Sequence, residues 1–346
     1  MSGRVTEIKK NLKDGECAYI KRPENVFYYS GFAGEGALVV SKNKNVLITD
    51  FRYIFDAKKC EPEYEICDIK DRALEYAFEG IHTIYIEDDF ISLKEYNRLK
   101  EKFKDITVTG RDFSLKQRMI KDKGEIENIK KASNIAEKAF EKLLSMIDEN
   151  ITEKDLACEF EYLIKKSGAQ KTSFDTIVAS GVNSSMPHAV VSDKKICAGD
   201  FITFDFGCVY NGYCSDMTRT VAYKSATDKM KNVYDIVLEA QLAGINSVAS
   251  GIRCCDVDKA ARDIINKNGY KDNFGHALGH GVGLFIHESP SLSPRCETVL
   301  EDNMVVTVEP GIYIENEFGI RIEDLTVVSG KKTDILTKFE KKLIII

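Results

Sequence analysis

The chain has 346 residues, of which 43% are hydrophobic and 30% are charged, and its formal net charge is −6. This length exceeds the size at which single cores usually stop growing, so we expect two domains in an ordinary globular protein. The negative charge argues against nucleic acid as a partner, and no apolar run reaches the roughly 20 residues of a membrane span. The N-terminus lacks a signal-peptide core and the ten cysteines are scattered, so a reduced, cytoplasmic protein is expected.

Short apolar runs alternate with helical patterns from the N-terminus to about residue 112. The sequence predicts the following strands and helices: strands over 17–20, 37–41, 46–49, 83–86 and 106–108, and helices over 53–59, 72–78 and 93–103. Alternation of this kind indicates a small α/β domain. Nothing in this region suggests a catalytic residue.

After this region the sequence pattern changes to that of a long charged helix. Apolar residues from Ile126 to Leu143 recur at helical spacing, while Lys and Glu fill the opposite face. We therefore expect an N-terminal domain over 1–115 and a larger C-terminal domain over 116–346. Because the first carries no predicted chemistry, we assign it to oligomerisation and to one rim of a cleft.

Three further helices are predicted in the C-terminal domain. The string from Thr152 to Asp155 resembles a capping box and predicts a helix start, and Gly168 is a typical stop. Two more helices are predicted over 228–248 and 256–268. Their apolar positions are interpreted as core.

Two β segments, over 201–207 and 305–311, resemble each other. Each is an apolar strand that ends in a carboxylate followed by x-Gly, and a second carboxylate follows eleven or fourteen residues later. The four acids are Asp205, Asp216, Glu309 and Glu323. The pattern indicates a weak internal repeat of a helix-helix-strand-strand unit, related by a pseudo-twofold.

The stretch 274–288 holds three of the five histidines of the chain. They are His276, His280 and His287, interspersed with glycines at 275, 279, 281 and 283. Glycine at this density argues against a helix, and Ala277 replaces the glutamate that a helical zinc-protease motif requires. Glycine instead allows close approach of the backbone to a ligand. A structural turn with incidental histidines is the alternative.

The setting of the strand carboxylates indicates that each needs a partner. Asp205 and Glu309 lie in runs of apolar β formers, where an unpaired charge is heavily penalised by desolvation. A salt bridge to Arg219 or Arg321 is one solution, and a divalent metal is the other.

Taken together, the acids and imidazoles favour metal. Four carboxylates and one or two imidazoles carry about the charge that two divalent cations need, an arrangement suited to hydrolysis. An oxygen-rich set without thiolate favours Mn²⁺ before Zn²⁺, and Co²⁺ could also occupy it.

These residues resemble the metal-ligand pentad of the pita-bread metallopeptidases, the family of methionine aminopeptidase, aminopeptidase P and prolidase. The five matching positions are Asp205, Asp216, His280, Glu309 and Glu323. Segments 25–32, 49–53 and 179–188 also resemble proline peptidases, and methionine aminopeptidases lack such an N-terminal domain. The resemblance implies an α/β (α+β) fold, with a creatinase-like N-terminal domain followed by a C-terminal pita-bread domain.

The resemblance also implies a role for each ligand. Asp205 would chelate one metal, and Asp216 and Glu323 would bridge both ions. His280 and Glu309 would complete the coordination of the second ion.

Other residues match family positions outside the metals. His188, His276 and His287 match histidines that bind substrate and stabilise the transition state. Arg321 matches an arginine that pairs with a ligand carboxylate, and Tyr313 matches a tyrosine near the site. A structural role for Arg321 and Tyr313 remains open.

The implied activity is hydrolysis of peptides with proline in second position, as in Xaa-Pro aminopeptidases and Xaa-Pro dipeptidases. Such a bond is a tertiary amide without an N–H, which ordinary peptide grooves do not accept. His276 or His287 would stabilise the oxyanion, and Glu309 would carry the proton to the leaving nitrogen. A homodimer is implied. The alternatives are a methionine-type aminopeptidase and a non-catalytic pita-bread binding module, and the five retained ligands argue against the latter.

Overall fold

The computed structural model describes residues 2–60, 64–70 and 72–346. The chain divides into two compact units, Met1–Gln117 and Arg118–Ile346. Within the described ranges, no helix has the length and apolar character needed to cross a membrane.

The N-terminal unit is built on one mixed sheet. Its described strands are β1 (Glu16–Ile20), β2 (Gly36–Ser41), β3 (Asn45–Thr49), β4 (Glu65–Asp68), β5 (Thr83–Ile86) and β6 (Thr107–Gly110). Their order is β4-β3-β2-β1-β5-β6, with β2 antiparallel to both neighbours and the other pairs parallel. The helices of this unit are α1 (Ser2–Lys10), α2 (Pro23–Ser30), α3 (Ile54–Ala57), α4 (Ala73–Ala77) and α5 (Leu93–Lys102).

The sequence predicted this α/β layer but missed some of its elements. The five predicted strands are present, and the helix predicted over 53–59 is a single turn. Strand β4 was missed because it has little apolar content and is held at the sheet edge by pairing with β3. Helix α2 was also missed, although it starts with Pro23 and ends at Gly31 in a left-handed conformation with φ 73°, which are typical helix boundaries.

The C-terminal unit contains two helix pairs and several small sheets. Its helices are α6 (Leu115–Met119, at the division between the units), α7 (Lys123–Leu144), α8 (Glu153–Lys166), α9 (Asp228–Ser247) and α10 (Cys254–Lys267). Its described strands are β7 (Lys171–Thr172), β8 (Ile177–Ser180), β9 (Phe201–Phe206), β10 (Cys208–Tyr210), β11 (Tyr213–Cys214), β12 (Met217–Ala222), β13 (Gly279–Gly281), β14 (Glu288–Leu292), β15 (Val305–Val308), β16 (Gly311–Ile314), β17 (Phe318–Arg321), β18 (Asp324–Ser329) and β19 (Lys332–Ile335). Short 3₁₀ helices cover Gly181–Ser185 and Lys271–Asn273.

The capping box predicted for α8 is confirmed. The Thr152 side chain accepts from the Asp155 N–H at 3.1 Å, and Asp155 accepts from the Thr152 N–H at 3.0 Å. Helix α7 begins in the same way, with Asp122 and Glu125. These reciprocal bonds satisfy amide groups that the first helical turn leaves free.

The order of elements repeats in the two halves of this unit. Helices α7 and α8 are followed by the antiparallel pair β9 and β12, and α9 and α10 are followed by the antiparallel pair β15 and β18. The rings of Phe140 and Phe160 each lie 4.8 Å from that of Phe206, so the first helix pair covers one face of β9. Because side chains alternate along a strand, Asp205 lies on the opposite face.

Candidate metal centre

Two of the predicted acids lie on or next to the first strand pair, β9 and β12. Asp205 lies in β9, opposite Thr218 of β12, and Asp216 immediately precedes β12. Asp216 is only 4% exposed. The second strand pair delivers the other two, since Glu309 directly follows β15 and Glu323 directly precedes β18.

As predicted from the sequence, the glycine-rich histidine stretch does not form a helix. His280 lies in the short strand β13 between Gly279 and Gly281. A Cβ at Gly279 would lie 2.1 Å from the Thr307 carbonyl oxygen, and a Cβ at Gly281 would lie 2.3 Å from that of Ser289. Both neighbours of His280 therefore have to be glycine, because the flanking segments pass too close for a side chain.

The five residues of the predicted pentad all line one cleft. The donor atoms of Asp216, His280 and Glu323 lie within 4.8 Å of one another. His280 Nε2 is 3.5 Å from Asp216 Oδ2 and 3.3 Å from Glu309 Oε1. Asp205 is bonded to Arg321, whose Nη2 donates to Asp205 Oδ2 at 2.6 Å.

Burial dominates the electrostatics of this cluster. It raises the pKa of Glu309 to about 8, and the charge of Asp205 adds to the effect. Burial also raises the pKa values of Asp216 and Glu323 well above those of ordinary carboxyls, reinforced by the neighbouring acids. Burial lowers the pKa of His280, so the ring is neutral and has a lone pair to offer.

The donor set fits divalent cations. In the described part of the chain, the buried oxygens Asp205 Oδ1 and Glu323 Oε1 have no hydrogen-bond partner. Buried polar atoms are normally satisfied, and a cation would satisfy both. Closely spaced carboxylates with raised pKa values also need positive charge to ionise at neutral pH. Arg219, the other arginine considered from sequence, pairs with Asp324 instead, at 2.7 Å.

Arg321 connects the acids to the tyrosine and histidine next to them. It is 4% exposed, and its Nη1 donates to the Tyr313 hydroxyl at 2.8 Å. The same hydroxyl lies 3.0 Å from His276 Nε2. His276 Nδ1 lies 2.8 Å from the Ala277 carbonyl oxygen, which can only accept, so Nδ1 carries the proton and Nε2 accepts from Tyr313. Burial, followed by the Arg321 charge, lowers the pKa of His276 to about 4.

The remaining two predicted histidines line the same cleft. The ring of His287 meets that of His280 edge-on, with centroids 4.5 Å apart. Burial, and after it the electrostatic effect of His280, lowers the pKa of His287. Its ring is therefore neutral and has one N–H to donate. His188 lies on the loop after β8 and is exposed.

Two threonines support the acids and were missed from sequence. Thr218 Oγ1 donates to Glu323 Oε2 at 2.7 Å and Thr307 Oγ1 donates to Glu309 Oε1 at 3.1 Å. Thr218 follows Asp216 by two residues and Thr307 precedes Glu309 by two. Because positions two apart in a strand share a face, the alternation of the strands was the signal that could have revealed them.

Comparison with known proteins agrees with this geometry. Residues 127–330 match Metallopeptidase family M24, and residues 4–120 match the Creatinase/Prolidase N-terminal domain. The chain therefore belongs to metallopeptidase family M24. It is a metallopeptidase, and family membership implies divalent metal ions.

Three relatives cover essentially the whole chain. The Xaa-Pro dipeptidase of Pyrococcus furiosus is 40% identical over 99% of this chain and 100% of its own. The structure of an Xaa-Pro dipeptidase from Bacillus anthracis is 40% identical, covers 99% of this chain and 98% of its own, and superposes with a TM-score of 0.94. The structure of an X-Pro aminopeptidase from Thermotoga maritima is 38% identical, covers 99% of this chain and 100% of its own, and superposes with a TM-score of 0.92. The predicted fold is thereby confirmed, and the alternatives of a methionine-type aminopeptidase and a binding module are not favoured.

Proposed function

We propose that this metallopeptidase hydrolyses the bond between the first residue of a peptide and a proline in second position. The observation that carries the proposal is the cleft in which four acids and His280 converge, two of whose oxygens are buried without a partner. The names of the relatives, two Xaa-Pro dipeptidases and one X-Pro aminopeptidase, support the substrate class.

The proposed ligands of two divalent ions are Asp205, Asp216, His280, Glu309 and Glu323. Oxygen donors outnumber nitrogen and there is no thiolate among them, which supports Mn²⁺, with Co²⁺ and Zn²⁺ as other occupants. Asp216 and Glu323 would hold both ions, because each offers two carboxylate oxygens and their donor atoms lie within 4.8 Å of each other. When bound, such ions activate water and polarise a carbonyl.

The side chains around the metals complete the chemistry. His287 is the better oxyanion donor, because Nε2 of His276 is occupied by the Tyr313 hydroxyl. His276 and Tyr313 are proposed to orient Arg321 and, through it, Asp205. Glu309 is proposed to accept a proton from the attacking water and to pass it to the proline nitrogen, which leaves as an amine. His188 is proposed to contact the substrate.

The function is tested by comparing turnover of Xaa-Pro dipeptides, Xaa-Pro-Yaa tripeptides and matched Xaa-Ala peptides with manganese present. We expect hydrolysis of at least one proline substrate and little of the alanine control. Cleavage of the dipeptide alone identifies a dipeptidase, and cleavage of the tripeptide identifies an aminopeptidase. Equal rates on Xaa-Pro and Xaa-Ala would contradict the proposal.

The histidines are expected to separate into two groups. His287→Ala and His276→Ala should each lower turnover by roughly a hundredfold, as expected for loss of a transition-state hydrogen bond or of its support, with little change in metal content. His280→Ala should lose metal. Metal analysis beside kinetics checks this division, and His82→Ala in the other unit is a matched control. Equal metal loss in all three site variants would show that the histidines form one ligand set.

We also propose that the N-terminal domain supplies the contacts of a homodimer and one rim of the cleft. The proposed ligands all lie beyond residue 200, in the C-terminal unit. Deletion of residues 1–112 is therefore expected to shift the protein towards monomer in sedimentation. It should weaken discrimination for proline substrates more than metal binding. A truncated protein that stayed dimeric and selective would contradict the assignment.

A further inference from the structure

The loop between β8 and β9 carries His188 at the cleft and is irregular apart from the 3₁₀ helix Gly181–Ser185. Because His188 is exposed, its own packing does little to hold it in place. The position of its ring therefore depends on how the loop backbone is anchored.

Glu153, the first residue of α8, is fully buried at this loop. Its Oε1 accepts from the Ser180 N–H at 2.7 Å and from the Ser180 hydroxyl at 2.8 Å. Its Oε2 accepts from the Ser192 N–H at 3.2 Å and from the Ser192 hydroxyl at 2.6 Å. The Asn183 side-chain amide donates to both oxygens at 3.1 Å.

This pattern joins the two ends of segment 180–192, the part of the loop that contains His188. Ser180 ends β8 before the loop, and Ser192 lies four residues beyond His188. A carboxylate without solvent would be costly unless its lone pairs were filled, and here every donor comes from the loop or its ends. The N-terminus of α8 further favours a negative charge at this position.

Two residues of β17, next to the proposed metal ligands, hold the middle of the loop. Arg321 Nη1 donates to the Pro187 carbonyl oxygen at 3.2 Å, directly before His188, while its Nη2 holds Asp205. The Gly319 N–H donates to the Ser184 hydroxyl at 2.9 Å. Glu153 thus anchors the two ends of segment 180–192, and β17 anchors its centre.

We propose that Glu153 is a positioning residue for His188: its buried carboxylate closes the 180–192 loop and holds the imidazole at the substrate. This rests on the proposed function, in which His188 contacts the peptide. Glu153 acts only through the loop, and it lies outside the proposed metal ligands. Loosening its bonds should therefore weaken substrate binding and leave the metals in place.

The kinetic test uses mild variants that keep Glu153 itself. Ser192→Ala and Asn183→Ala should each raise KM by roughly fivefold, with kcat and metal content nearly unchanged, because each removes one or two hydrogen bonds to the carboxylate. In a His188→Ala background the same changes should have no further effect on KM. Ser133→Ala is the matched control, because this buried serine of α7 donates its hydroxyl to the Ile129 carbonyl oxygen, at 3.1 Å, and not to Glu153. An equal KM effect with and without His188 would overturn the proposal.

A second measurement does not depend on activity. The chain has five histidines, so protein labelled with ¹³C-histidine and loaded with diamagnetic zinc should give few imidazole signals, and His188→Ala assigns one of them. Ser192→Ala and Glu153→Gln should shift or broaden that signal much more than the signal assigned by His82→Ala. An unchanged His188 signal in both variants would overturn the proposal. Absence of Xaa-Pro hydrolysis in the unmodified protein would instead refute the proposed function, without contradicting the positioning of His188 by Glu153.

Discussion

Replacement of Asp216 by Asn, or of Glu323 by Gln, is expected to abolish peptidase activity and to lower the number of bound metal ions. A neutral amide cannot bridge two cations as a carboxylate does, and both side chains are almost fully buried, so no water-exposed conformation can substitute. Since the metals contribute several kcal/mol to the transition state, we expect a loss of about a thousandfold or more in kcat/KM.

Elemental analysis and peptide hydrolysis on the same preparations check this prediction. Asp263→Asn, an exposed acid of α10 that is ion-paired with Lys259, is a control for the chemical change itself. Circular dichroism should show that the variants fold, because the amide matches the carboxylate in shape. Near-normal turnover with two bound ions in either variant would refute the bridging role.

Removal of the metals is expected to make stability strongly dependent on pH. In the metal-free protein, burial raises the pKa of Glu309 to about 8 and raises those of Asp216 and Glu323. Unfolded carboxyls titrate near pH 4. A group with a raised folded pKa contributes stability that is complete below the unfolded value and is lost as pH rises through the folded value. The free energy of unfolding of the metal-free protein should therefore fall between about pH 5 and pH 9, by roughly 4 kcal/mol for Glu309 alone.

The metal-loaded protein should behave differently. Cation binding displaces the protons, so its affinity rises with pH and offsets the loss. Thermal melting of chelated and reloaded protein across this range checks the prediction, and the difference in Tm should widen as pH increases. Glu309→Gln should flatten the profile of the metal-free protein. Parallel profiles for the two forms would show that the acids do not share buried protons.

Two of the proposed ligand acids were accessible from sequence because each stands out against an apolar strand. Asp205 and Glu309 interrupt runs of β formers, and the similarity of the two runs indicated that they act together. The start of α8 was also predictable, since its capping residues Thr152 and Asp155 act within one turn. These are local signals, carried by three to seven consecutive residues.

Other features depend on segments that are distant in sequence. Glu153 looks like an ordinary first-turn acid, and only the folded loop shows that Ser180 and Ser192 converge on it. Tyr313 and His276 are 37 residues apart, and the hydrogen bond that sets the His276 tautomer requires both in place. Strand β4 is specified by its partner strand more than by its own residues. Such contacts have no periodic pattern for a sequence to display.

The repeated order of the two halves also bears on the folding kinetics. One half contributes Asp205 and Asp216, and the other contributes Glu309 and Glu323, about a hundred residues later. Neither half alone offers a full coordination sphere, so the cation cannot assist the early collapse of the chain. Contacts formed after the transition state slow unfolding without speeding folding. We therefore expect metal to lengthen the lifetime of the folded protein while leaving its refolding rate nearly constant, which stopped-flow experiments with and without chelator would measure.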